Sequence, residues 1–173
     1  MIPSSAGHIL LSDYVKKHIM THNQIGVGSV FSKNIDMSMI QQAAADADVT
    51  GAGGAYTVTV PGIGYNLVLP IDQALQLSDA EQTTVTKDER GQPVEVPAIK
   101  TSAGIDQFAT DILTIIIRPS NPEYLPDDVK NNPEVTQAID TGNSYSILTA
   151  FPGDPDVPPA SEWSGQYAVI LPS

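Results

Sequence analysis

Three histidines occur in the 173-residue chain, His8, His18 and His22, all within the first 22 positions. Lys16 and Lys17 sit among them, in "GHILLSDYVKKHI" (7–19). Imidazole titrates near neutral pH and is the side chain best suited to moving protons there. A lysine ammonium beside it can bind a phosphate or stabilise negative charge that develops during a reaction. The pairing is that of general acid–base chemistry on an anionic substrate. The same residues also fit a surface helix whose basic patch and histidines are incidental.

Other chemistries have less support. His18 and His22 are spaced i, i+4, half of an HExxH arrangement, but positions 19 and 20 are Ile and Met rather than Glu. Asp13 is near, yet pattern nominates no third ligand, so neither a metal nor a cofactor is expected. The absence of cysteine excludes disulfides, thiolate metal sites and a Cys nucleophile. "GVGSVF" (26–31) and "GAGG" (51–54) match no dinucleotide fingerprint or phosphate loop and read as a turn and a helix stop. There is no GxSxG elbow for Ser-His-Asp hydrolysis. Asp127, Asp128, Asp154 and Asp156 lie in Pro-rich loops and read as solvated faces, with weak calcium binding as the alternative.

The elements that must position these groups read as follows. Ser12 is a helix N-cap with Asp13 in the first turn, and Tyr14, Val15, His18 and Ile19 share one face of a helix over 12–22. Asn34 or Asp36 caps a second helix over 36–48, with Met37, Ile40, Ala44 and Ala47 inward. Period-two alternation then marks strands at 55–60, 65–70, 112–118, 144–151 and 166–171. Pro61-Gly62 is expected to turn the chain, "SDAE" (78–81) to form a short capped helical turn, and "TTVT" with "PVEVP" to form a hairpin. Residues 119–143 read as a polar insertion with a helical turn near 133–140, and 152–162 as a rigid Pro-rich loop. The expectation is one α+β domain over 1–173, with two N-terminal helices packed on a mainly antiparallel, curved sheet of about five strands that includes 166–171.

Charge bounds the partners. The formal net charge is −12; residues 1–45 carry +1 and residues 46–173 carry −13. An anion site is therefore expected at the N-terminal end, while the acidic remainder repels nucleic acid at long range and argues against an ordinary nucleic-acid-binding protein. No apolar run approaches the roughly 20 residues needed to span a bilayer, so no membrane anchor is expected. "MIPSSAGHILL" lacks the basic start and apolar centre of a signal peptide.

Taken in order, the landmarks "GHIL", "SDYVKKHI", "GSVFSKNID", "YNLVLP", "ILTIIIRPSNP" and "YSILTAFPGDP" resemble the RNase A-like C-terminal toxins of contact-dependent inhibition and other polymorphic toxin systems. The resemblance spans about residues 7–155. It implies that His8 is a catalytic histidine and that Thr149 is the threonine of the "TAY"-type strand. The family's arginine has no counterpart in the first helix; His18 takes its place with one gap, and Lys17 beside it is the other candidate cation. The family's tyrosine is Phe151, without a hydroxyl. Catalytic candidates are thus His8, His18, Lys17 and Thr149; Lys16, Ser29, Tyr145 and Phe151 are substrate-binding candidates.

The activity implied is metal-independent cleavage of RNA, with tRNA as the candidate substrate, inside a competing cell. A cognate immunity protein is implied as partner, and delivery as the C-terminal part of a larger protein, monomeric on its own. A toxin that transfers ADP-ribose from NAD is a rival, although no Arg, Ser-x-Ser and Glu-x-Glu set is present. A non-enzymatic acidic interaction or immunity protein is the rival of a different class. For the acid–base chemistry, the first helix must pack across the edge of the strand at 144–151.

Overall fold

Local capping starts both N-terminal helical segments. The computed structural model describes residues 9–20, 29–33, 35–87, 93–141, 145–153 and 165–172. The buried Ser12 hydroxyl accepts the Val15 N–H at 3.3 Å and opens α1 (Asp13–Met20), with Asp13 in the first turn. Val15 and Ile19, one helical turn apart, are its buried residues. Asp36 accepts from the Met39 N–H at 3.2 Å to cap α2 (Met37–Asp46), which buries Ile40, Ala43 and Ala44. The Ser38 hydroxyl also donates to Asp36. That bond, then the one from Met39, holds the Asp36 carboxyl below the ordinary carboxylate range.

Most of the chain is strand, in two sheets. The first is a curled five-stranded sheet. Its edges are β1 (Ile9–Leu10) and β2 (Val30–Phe31). Between them lie β3 (Gly54–Tyr65), β7 (Ala109–Pro119) and β8 (Tyr145–Pro152), in the order β1-β8-β7-β3-β2. All pairs are antiparallel except β1 with β8. The second sheet contains β4 (Val68–Pro70), β5 (Glu81–Lys87), β6 (Pro93–Thr101) and β9 (Tyr167–Pro172), ordered β4-β9-β6-β5. Strands 55–60, 112–118 and 144–151 share one sheet as expected. Residues 166–171 do not join them: β9 runs between β4 and β6. Ala168, Val169 and Ile170 are buried in succession, the mark of a central strand covered on both faces, and both long edges of β7 are already filled by β3 and β8.

Two local expectations are corrected. Pro61-Gly62 does not end a strand. It forms a bulge within β3, where pairing with β7 jumps from Thr59 to Gly64, and the Asp111 carboxylate accepts the Gly62 N–H at 2.8 Å. The bulge helps the sheet to curl. Gly64 approaches the Val30 carbonyl, Phe31 and Pro152 so closely that any Cβ would collide, so the β2 edge returns towards the end of β8. "SDAE" does not form a helical turn. Asp79 has φ 52°, Glu81 already opens β5, and the local helical turn is α3 (Ile71–Ala74). The expected hairpin is β5 with β6.

The helix-covered face of the first sheet carries Leu113, Ile115 and Ile117 of β7 with Ile147 and Ala150 of β8, packed against Val15, Ile19 and Ile40. Each fully buried isoleucine stabilises the fold by roughly 1.5–3 kcal/mol. The segment after β7 is polar in composition but not merely a loop. It forms α4 (Asp127–Lys130) and α5 (Pro133–Thr141), whose Val129 and Val135 pack with Leu125 on Leu10, Tyr14 and Leu148. Among the described residues, no helix is long and apolar enough to cross a membrane.

Candidate functional site

Strand β8 contains the irregularity that shapes the site. Its pairing with β7 runs Ile117 to Ile147, then skips Leu148 and resumes with Ile116 opposite Thr149. Strict alternation would put Tyr145, Ile147, Thr149 and Phe151 on one face. The extra residue at Leu148 moves the register by one, so that Tyr145 and Ile147 face the helices while Thr149 and Phe151 face the other way. Ile147 and Ala150 can then both enter the core, opposite Ile117 and Ile115. Bulges commonly re-aim a side chain beside a functional site.

The register gives Thr149 its neighbours. Arg118 (opposite Ser146), Ile116 (opposite Thr149) and Thr114 (opposite Phe151) share its face. Thr114 is buried, and its hydroxyl donates to the Gly153 carbonyl at 2.7 Å. The Ser120 and Ser146 hydroxyls are 2.8 Å apart, one donating to the other. Half-buried Arg118 donates from Nη1 to the Ile117 carbonyl at 3.0 Å. The Thr149 Oγ1 is buried and has no hydrogen-bond partner among the described residues. A buried hydroxyl left unpaired is destabilising, and it calls for an explanation in function or an absent ligand.

The N-terminal segment reaches this strand from its free edge. β1 runs parallel to β8, with Ile9 opposite Tyr145 and Leu10 opposite Ser146. Helix α1 follows and packs on β8. Tyr14 contributes both to the helix-side core and to the cluster around Leu148, so α1 straddles the sheet edge. Glu134 of α5 accepts the Asp13 N–H at 3.0 Å and ties the insertion to the start of α1. Helix α1 thus contacts the strand at 144–151, but its Val15 and Ile19 join Ile147 and Ala150 on the face opposite Thr149, so the packing that the sequence requires is met only as contact with that strand.

The individual candidates are placed as follows. Lys17 is exposed on α1. Lys16 is half-buried and pairs with Asp13 at 3.6 Å. His18 lies on α1, and nothing beyond its backbone is described. His8 and His22 lie outside the described residues. Ile9 sits four residues from Thr149 along β8, roughly 13 Å. For the imidazole of His8 to reach the Thr149 hydroxyl, the segment before Ile9 must fold back over the strand. Ser29 donates to Asn66 Oδ1 at 3.2 Å, and Asn66 lies against Gly153 at the end of β8. Tyr145 is on the helix-covered face and donates its hydroxyl to the Gly51 carbonyl at 3.1 Å, so the bulge separates it from Thr149 and Phe151.

Among the described residues, no three His, Cys, Asp or Glu side chains gather as a metal site. Asp127 forms an ion pair with Lys130 at 2.9 Å, which holds its carboxyl below the ordinary range. Asp154 and Asp156 lie outside the described residues. Arg118, the last residue of the strand expected at 112–118, is not among the sequence candidates; the register alone brings it to the face of Thr149. No family model, curated protein or solved structure matches this chain.

Proposed function

We propose that this chain is an RNA-cleaving toxin domain that acts by metal-independent transesterification, with tRNA as a possible substrate. The observation that carries the proposal is the docking of β1 and α1 on the edge of β8. The lysine pair belongs to α1, in the part of the sequence that contains the three histidines, and β8 carries Thr149, whose buried hydroxyl has no partner among the described residues. In this reading α1 and α2 are the N-terminal helix pair of the resemblance, laid on the curled sheet. His8 takes the proton of a ribose 2′-OH, and O2′ attacks its own phosphorus. His18 protonates the leaving 5′-oxygen as the P–O5′ bond breaks, giving a 2′,3′-cyclic phosphate. Lys17 or another cation offsets charge on the phosphoryl oxygens, and Thr149 donates to one of them. Lys16, Ser29 and Phe151 border the substrate in the same reading, whereas Tyr145, on the opposite face, is dropped from it. A cognate immunity protein restrains the domain in the producing cell, and the domain is delivered as the C-terminal part of a larger protein.

The test is induced expression in a bacterial cytoplasm. The parent chain should arrest growth and degrade RNA, and His8→Ala should do neither while reaching the same soluble level. Equal toxicity of the two removes the catalytic assignment. A harmless parent that leaves RNA intact replaces it with the acidic interaction-protein reading, which the net charge of −12 favours.

A further inference from the structure

Arg118 lies on the face of the first sheet opposite the helix-covered core, half-buried and with an incomplete set of partners among the described residues. A guanidinium has five N–H donors and is rarely half-buried without a carboxylate. The chain has 20 acidic residues, yet the ion pairs among the described residues are Lys16–Asp13 and Lys130–Asp127, and neither involves Arg118. One Nη1 hydrogen goes to the Ile117 carbonyl, and no other bond of Arg118 is made among the described residues. Along the same face, one ladder step beyond the Leu148 bulge, is Thr149, whose buried hydroxyl has no partner among the described residues. Diagonal neighbours across a strand pair are roughly 7–8 Å apart, within reach of an arginine side chain. Directly opposite Arg118 is Ser146, whose hydroxyl shares one hydrogen with that of Ser120, so the pair keeps a second hydrogen to donate.

We infer that Arg118, Thr149 and the Ser120–Ser146 pair form a binding site for a tetrahedral oxyanion of the phosphate class. Donors come from two strands and from the turn after β7, and they do not lie in one plane. A carboxylate would be filled by the arginine fork alone, whereas a phosphate has oxygens left for the hydroxyls. The inference rests on the reading of Thr149 as a site residue and deepens it. Arg118, fixed in the sheet, is the cation that holds the scissile phosphate, in place of exposed Lys17.

The experiment is a titration of the 15N-labelled chain with sodium phosphate at constant ionic strength, followed by NMR, beside an RNA-cleavage assay on the same samples. The parent should show saturable shifts at the amides of Arg118, Ser120 and Thr149. Arg118→Gln should weaken binding by about tenfold or more, the loss expected for a charge-assisted pair. Arg118→Lys, which keeps charge and stem but loses the fork, should also weaken it and decides the matter if the Gln variant does not fold. Lys100→Gln, which removes an exposed cation from the second sheet, should bind phosphate as the parent does. Absent or unsaturable shifts, or equal binding by the folded Arg118 variants, overturn the oxyanion site even if RNA is cut. Phosphate binding that depends on Arg118 in a parent that leaves RNA intact keeps the site and removes the nuclease.

Discussion

Thr149→Val should make the protein more stable and less able to handle a phosphate. The Thr149 hydroxyl is buried without a partner among the described residues, whereas the Thr114 hydroxyl on the same face donates to the Gly153 carbonyl at 2.7 Å. Valine has nearly the shape of threonine and the same stiff χ1, so the substitution exchanges a hydroxyl for a methyl with little repacking. At Thr149 the change removes an unpaired buried polar atom, which costs about 1–3 kcal/mol. The residue as a whole is only half-buried, so the low end applies: a gain of about 1 kcal/mol, or about 2–4 °C in Tm for a chain of this size. Thr114→Val breaks a made bond and leaves a carbonyl short of one donor, so it should lose about 1 kcal/mol. The assay is urea and thermal unfolding of the parent and both variants, with RNA cleavage measured in parallel. Opposite signs for the two variants, with weaker cleavage by Thr149→Val, support the unpaired hydroxyl as a feature kept for function. A loss of stability in Thr149→Val matching that of Thr114→Val would show that the hydroxyl is satisfied and would refute the reasoning.

Ser12→Ala should destabilise the fold by about 1 kcal/mol in urea unfolding, because it deletes the N-cap that accepts the Val15 N–H. Asp36 is held below its ordinary pKa by Ser38 and then Met39, so its contribution is present above the ordinary value of about 3.9 and is lost as pH falls through its lower folded value. Amide exchange at the start of α2 should therefore accelerate below about pH 4, and Asp36→Asn, still a good cap, should remove that pH dependence.

Ser12 and Asp36 were legible as caps because an N-cap is a local signal: a short polar side chain before an apolar-periodic run. The strands at 55–60, 112–118 and 144–151 were legible from period-two alternation, and the hairpin of β5 and β6 from its turn. The placement of 166–171 was not. Burial on both faces shows that a strand is central but does not say in which sheet, and the partners of β9 are remote in sequence. The same limit hid the site. Thr149 was found only through the resemblance, and Tyr145 was grouped with it as a candidate, because a bulge leaves no mark on composition. Leu148 looks like any strand leucine until Ile116 is seen opposite Thr149 and Ile117 opposite Ile147. Arg118 was missed for the same reason, since its company is decided by a strand nearly thirty residues away. The docking of β1 and α1 on β8 is a contact over more than a hundred residues, and which face of β8 the helix covers is decided by the fold alone.

The most direct measurement is the chemistry of the RNA ends. Purified parent chain should be incubated with total tRNA in EDTA and the fragments examined for 2′,3′-cyclic phosphates. The proposal predicts discrete cleavage, cyclic-phosphate ends and no loss of rate in EDTA, with His8→Ala slower by about 10²–10⁴-fold. Intact RNA, or cleavage that stops in EDTA and returns with a divalent ion, would contradict it.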